Sequence, residues 1–449
     1  MIKNIINRFL SGNTRTLAVK KNIISSLFIR GIGILISFML VPMTIGYISP
    51  ELYGVWLTIS SIMTWITFLD IGFTQGLKNK LVEAIANDDW IKGRALVSTT
   101  YLMMVFIFVP ICIVLEIIVP YIDWTTLLNI SPIYRTDIEQ VMYAMVFFFC
   151  VQMVVNVVVS VVAAFQRVAL STSFAVIGQF FALVLMFIFN RTVSASLLTL
   201  SFALSAMPIL VTIIASIILY CGRYKMVSPS ISYFDKQLIG DLLNLGYKFF
   251  LINIQVVVLY QSTNILISNL SSPLEVTTYN LAYKYMNIPM MLYTIITAPL
   301  WPAYADAYVK KDFCWLVRMR KRMINIFYLS ALGCLLMVLF SPFFFKIWVG
   351  NDVIIPLKMT IIVALYVVIL CWVNLNVTMI AGMGLVKLET IVVVIGMCIH
   401  IPLSIILGKV WGAYGVLGSM IIINLLYALI FNTQVNKILN GSAKGIWLE

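Results

Sequence analysis

Charge is what this sequence has least of. Only 10% of its 449 residues are Asp, Glu, Lys or Arg, while 62% are hydrophobic and the mean hydropathy is +1.03. Soluble domains carry about a quarter of their residues as charges, so that class is excluded and a polytopic membrane protein is implied. Histidine is nearly absent. The single His400 and seven scattered cysteines, which show no C-x-x-C spacing, leave neither a zinc site nor a disulfide framework to read. There is no GxxxxGKS or GKT phosphate loop and no serine nucleophile elbow, which argues against ATP-driven transport within the chain. Neither a catalytic residue, a metal nor a cofactor is expected. Met1 to Lys21 contains bases but no apolar core with a small-residue cleavage site, so no cleaved signal peptide is read.

What is present is a succession of long apolar runs. Since roughly 20 apolar residues span a bilayer as a helix, the chain has room for about a dozen. Candidate spans begin near Asn22, Gly54, Ala95, Ile138, Thr172, Ser196, Asp241, Thr277, Met323, Lys358, Thr390 and Ala413. With the N-terminus inside, 22 of the 30 Lys and Arg fall in inner segments and five in outer ones: Arg135, Arg191, Lys346, Lys358 and Lys409. Bases accumulate on the cytoplasmic side, so both termini are expected there. The net charge of +13 then needs no nucleic-acid partner. Anionic headgroups explain the inner loops Lys78 to Arg94 and Lys310 to Arg322, which mix bases with apolar residues as interfacial helices do.

The two halves look related. Glu51 to Leu57, entering the second span, aligns with Glu275 to Leu281, entering the eighth, and a Ser-Pro pair lies just before each. Asn87-Asp88-Asp89-Trp90 and Lys311-Asp312-Phe313-Cys314-Trp315 occupy equivalent inner loops. Six spans per half keep both halves in the same orientation, as in parallel transporter repeats. The expected division is 1–224 and 225–449.

A charge at a helix centre costs roughly 3 kcal/mol on insertion scales, so intramembrane charges mark partners or paths. Arg30 lies about 13 Å into the first span and Asp70 at a similar depth in the second. Either they form an ion pair or Arg30 lines a cavity with Asp70 orienting it. Lys248 lies in the seventh span, where it can snorkel, and Lys284 lies well inside the eighth, among Tyr279, Asn280, Tyr283, Tyr285 and Asn287. Asn253, Gln255, Gln261, Ser262, Thr263 and Asn264 add amides and hydroxyls from the seventh. Three bases and one acid with such a lining suit an anionic headgroup, with amides and aromatic faces for sugar. Arg30, Lys248, Lys284, Asn253, Gln255 and Asn287 are therefore the candidate substrate contacts, and Asp70 is a structural or coupling residue. The helix-end carboxylates Glu51, Glu116, Asp123, Glu275 and Glu389 read as solvated interfacial groups, with Glu116, inside the outer end of the third span, the exception that can be protonated or paired, and His400 reads as a hydrogen-bonded core residue.

Ser49-Pro50-Glu51-Leu52-Tyr53-Gly54-Val55-Trp56, followed by Leu69-Asp70-Ile71-Gly72-Phe73-Thr74-Gln75-Gly76-Leu77-Lys78-Asn79-Lys80-Leu81, resembles the bacterial polysaccharide flippases, the O-antigen translocase or Wzx type. Asp123-Trp124 with Asn129, Trp348-Val349-Gly350, Ala381-Gly382-Met383-Gly384 and Trp411-Gly412-Ala413-Tyr414-Gly415 extend the resemblance over nearly the whole chain. It implies the multidrug, oligosaccharidyl-lipid and polysaccharide exporter superfamily. The implied fold is all-α and MATE-like, with two six-helix bundles around a central cavity. The implied activity is translocation of an undecaprenyl-pyrophosphate-linked oligosaccharide to the outer leaflet of the bacterial inner membrane by alternating access, with proton or sodium coupling plausible in the superfamily. Membrane lipids, a polysaccharide polymerase and glycosyltransferases are the implied partners. Asp70 is carried over by motif and the three bases by location only. A cation-coupled multidrug exporter, a peptidoglycan-precursor flippase and a membrane glycan polymerase or ligase are the alternatives.

Overall fold

The computed structural model describes residues 14–66, 70, 72–297 and 300–448, and their side chains except at 14–24, 244–257, 259 and 302. Among the described residues the regular structure is entirely helical. The first half contains α1 (Thr14–Tyr47), α2 (Pro50–Ile66), α3 (Phe73–Ala86), α4 (Trp90–Ile118), the short α5 (Trp124–Leu128), α6 (Arg135–Val155), α7 (Val157–Ala164), α8 (Val168–Thr192) and α9 (Leu197–Cys221). The second contains α10 (Gln237–Leu270), α11 (Pro273–Met286), α12 (Ile288–Thr297), α13 (Leu300–Val309), α14 (Phe313–Trp348), α15 (Leu357–Met383), α16 (Lys387–Trp411) and α17 (Ala413–Leu439).

Nine segments of the described residues are long and apolar enough to cross a bilayer. The other three expected spans are α2 with α3, the amide-rich α10, and α11 to α13. The chain is thus a multi-pass membrane protein of about twelve spans in two bundles. Large apolar side chains such as Phe28, Leu35, Phe106, Ile218, Leu329 and Phe340 are exposed on the helices, as a lipid-facing surface requires.

Two compact units emerge. One comprises Met1–Ser49, Ile62–Leu127 and Ser131–Ile254; the other comprises Pro50–Ser61, Leu128–Ile130 and Gln255–Glu449. The border falls inside α10, and the linker before that helix is hydrogen-bonded to α4. Arg94 Nε donates to Ser228 O at 2.9 Å, the Ser230 N–H to Ser98 Oγ at 3.0 Å and the Asp235 N–H to Thr99 Oγ1 at 3.0 Å. The Arg94 guanidinium also lies 4.3 Å from the Tyr233 ring centroid.

Helix neighbours repeat between the halves. In the first, α8 packs on α9, α9 on α6, α6 on α4, and α3 on both α4 and α7; in the second, α16 packs on α17, α17 on α15, α15 on α14, and α13 on both α14 and α15. The turns repeat as well. Asp88 (φ 52°) and Lys311 (φ 58°) hold the same left-handed conformation. The Asp89 N–H donates to Ala84 O and the Asp312 N–H to Ala307 O, both at 2.9 Å. Each aspartate then caps the next helix, Asp89 accepting from the Lys92 N–H at 3.0 Å and Asp312 from the Trp315 N–H at 2.9 Å. The register follows the prolines, with Pro50 and Pro273 each opening its helix, so the carboxylates Glu51 and Glu275 are one place out of step.

The segments Lys78 to Arg94 and Lys310 to Arg322 do not form helices of their own. Their residues belong to the ends of α3, α4, α13 and α14, joined by these two tight turns. Bases exclude such turns from an apolar run, yet Lys and Arg are good helix formers and a capping aspartate starts the next helix at once.

Candidate functional site

Polar residues from three helices interlock inside the C-terminal unit. Asn264 Nδ2 on α10 donates to Ser61 Oγ on α2 at 2.8 Å, and Asn280 Nδ2 on α11 donates to Asn264 Oδ1 at 2.8 Å and to Val276 O at 2.7 Å. Ser61 Oγ in turn donates to Leu57 O at 2.9 Å. Buried amides need partners in the membrane, and this chain supplies them, which fixes the line of groups in place.

Lys284 lies one turn beyond Asn280, half-buried in the last turn of α11, where the carbonyl end of the helix dipole favours a cation. The Tyr279 and Tyr283 ring centroids are 5.9 Å apart, and those of Tyr283 and Tyr366 6.2 Å. Asn287 ends the helix, its N–H bonded to Tyr283 O at 2.8 Å. Tyr285 turns away to α14, where it donates to Met337 O at 3.2 Å and stacks on Phe344 at 4.3 Å. One end of α11 thus collects a cation, amides and phenol faces. Cations with amide and aromatic neighbours are the chemistry suited to anionic, hydroxyl-rich groups.

In the N-terminal unit α3 begins at Phe73. Gly72, the N-cap of α3, takes φ 85°, which favours glycine, and Asp70, two residues before it, accepts from the Thr74 N–H at 3.2 Å and the Thr74 hydroxyl at 2.5 Å in the first turn. Arg30 is exposed on α1. The two form no ion pair, which corrects the first of the two sequence readings: the Asp70 carboxylate is spent on the helix terminus. Among the described residues the ion pairs are Lys80–Glu83, Arg135–Glu139 and Lys310–Asp306, each between residues three or four apart in the chain. Lys248, Asn253 and Gln255 lie in α10, with side chains outside the described residues.

Glu275, read as a solvated carboxylate, instead accepts from the Ser271 hydroxyl and from the Ala413 N–H at the start of α17. His400 is fully buried, with Nδ1 3.3 Å from the hydroxyls of both Ser404 and Ser419. Sequence reasoning missed Arg320, which points between α14 and α17 to Asn432 and Asn436. Its signal was in the spacing. Leu316, Arg320 and Met323 share the buried face of α14, while Arg318, Lys321 and Arg322 are exposed.

Residues 19–307 match the family described as "Polysaccharide biosynthesis protein". This chain belongs to that family. A protein of Yersinia pseudotuberculosis assigned to O-antigen export is 19% identical over 363 residues, which cover 80% of this chain and 82% of that protein. Solved MATE structures share the fold. The crystal structure of a MATE protein in its straight conformation is 15% identical with a TM-score of 0.63, covering 97% of this chain and 98% of that one. An outward-facing multidrug-resistance MATE family transporter of the MOP superfamily is 15% identical with a TM-score of 0.57, covering 95% and 97%. The family member described here is therefore a multi-pass membrane protein with a MATE-like architecture.

Proposed function

We propose that this protein is a flippase that moves an undecaprenyl-pyrophosphate-linked oligosaccharide repeat unit from the cytoplasmic to the outer leaflet of the bacterial inner membrane, by alternating access, for surface polysaccharide synthesis. Membership of the polysaccharide biosynthesis family on a MATE-like fold carries the reading. The composition of the α11 site supports it: Lys284 for the phosphate charge, Asn280 and Asn287 for hydroxyls, and the Tyr279, Tyr283 and Tyr366 rings for sugar faces.

Arg30 and Lys248 receive the pyrophosphate first, Lys284 passes it on, and Asn253 and Gln255 contact the glycan, while the prenyl tail stays in lipid. No bond is made or broken. Asp70 holds the start of α3. Polymerase and glycosyltransferases act on the product and the precursor, so the protein works between them. A multidrug exporter of the same fold is the second reading, favoured by the MATE likeness; the three bases proposed for the path, Arg30, Lys248 and Lys284, against the one acid Asp70, disfavour its usual cationic substrates.

Proteoliposomes test this. A fluorescent prenyl-pyrophosphate oligosaccharide placed in the inner leaflet becomes accessible to an externally added pyrophosphatase only when it crosses. The expected result is protein-dependent exposure; the same rate in protein-free liposomes overturns the proposal.

A further inference from the structure

Arg320 is 9% exposed, and its side chain carries a charge that no carboxylate neutralises among the described residues. Its partners are neutral. Nη1 donates to Asn436 Oδ1 at 2.5 Å and Nη2 to Asn432 Oδ1 at 2.7 Å. The Nε–H is buried with no acceptor. A buried cation costs several kcal/mol unless it is paired, and amide oxygens supply dipoles rather than the missing negative charge. A guanidinium held in a fixed plane by two amides, with a donor still free, is prepared for a planar or tetrahedral oxyanion.

The surroundings select for anions too. Asn436 is exposed and Asn432 half-buried, so the guanidinium lies one layer beneath the surface at the inner ends of α14 and α17. Along the same stretch Lys311, Arg318, Lys321 and Arg322 are exposed. Along this stretch of the chain, Asp306 pairs with Lys310 at 2.8 Å and Asp312 caps α14 through the Trp315 N–H. The local field is therefore positive and draws anions from the cytoplasmic side.

We infer that Arg320, Asn432 and Asn436 form a phosphate-binding site at the inner end of the C-terminal unit, which takes the phosphate or pyrophosphate group of an anionic lipid before transfer. This deepens the flippase reading and rests on it for the lipid source of the phosphate. If Arg320 merely fastened α14 to α17, an internal carboxylate would serve it better than an amide. Asn432→Asp supplies that carboxylate in nearly the same volume. It should keep the helices together while occupying the guanidinium.

The test uses the purified full chain in nanodiscs of zwitterionic lipid, titrated calorimetrically with inorganic pyrophosphate and with farnesyl pyrophosphate. Wild type is expected to bind, Asn432→Asp to bind about tenfold or more weakly with an unchanged or higher melting temperature, and Arg320→Lys to retain part of the affinity. Tighter binding of the prenyl compound identifies a lipid as the source; equal binding of the two identifies a free oxyanion site and removes the lipid assignment. Unaltered affinity in Asn432→Asp, or no binding by wild type, overturns the inference. Because no glycan is used, either result leaves the flippase reading to be judged by its own translocation assay.

Discussion

Lys284→Ala removes the cation in the last turn of α11, and Lys284→Arg keeps a positive charge there. At equal expression, translocation in proteoliposomes is expected to fall roughly tenfold or more for Ala, about the worth of one charge-assisted hydrogen bond, and to be partly retained for Arg. Asp70 is a sharper case. An Asp that accepts from a first-turn N–H costs about 1 kcal/mol when replaced by Ala, whereas Asn accepts nearly as well. Asp70→Asn should therefore keep both melting temperature and transport, and Asp70→Ala should lower the melting temperature. A folded Asp70→Asn protein without transport would instead make the carboxylate a coupling group. Outside the membrane, Asp123 is held down to about 2 from an ordinary 3.8 by the hydroxyls of Thr125 and Thr126 and by the Thr126 N–H. A lowered carboxylate stabilises above its unfolded value and loses that contribution as pH falls through its folded one. Protease cleavage of the loop that follows α4 in detergent-solubilised protein should thus be constant from pH 5 to 8 in wild type and faster throughout in Asp123→Ala.

At the scale of elements, hydropathy placed the spans because burial in lipid is read directly from apolar runs. It did not place their inner ends. The sequence start near Met323 lies well inside α14, which begins at Phe313, since the stretch from Arg318 to Arg322 is helical but not apolar. Asp70 was legible as a charge inside a span, but not as an acceptor for the first turn of α3, because the sequence around it has the composition of a helix interior apart from Gly72. Lys284 was found by depth alone; Arg320 was missed because four other bases nearby disguised its inward face. Gly54, within the motif that carried the family resemblance, permits a helix crossing: a Cβ there would lie 1.8 Å from Pro273 O, and Thr277 Oγ1 donates to Pro50 O at 2.6 Å beside it. Gly54→Val should destabilise by about 3 kcal/mol or more, as overpacking against backbone does, and appear as loss of monodisperse protein on size exclusion. Gly31→Ala, with nothing within 4 Å of the new carbon, is the tolerated control.

Across the whole molecule, duplicated turns and duplicated helix neighbours give two bundles of common design. The repeat was faint in the sequence because identity survived only where backbone geometry demanded it, at the helix-opening prolines and the capping aspartates Asp89 and Asp312. Lys284, proposed above to hold the phosphate, has no counterpart cation in the first half, where the same offset from Pro50 falls on Ser61. The most direct test of the flippase reading is mass spectrometry of polyprenyl-linked glycans from cells lacking the protein, beside a complemented strain and a control also lacking the initiating glycosyltransferase. Accumulation of a complete pyrophosphate-linked repeat unit, with its polymer absent from the surface, is the predicted result. An unchanged lipid-linked pool and an intact surface polymer would contradict it.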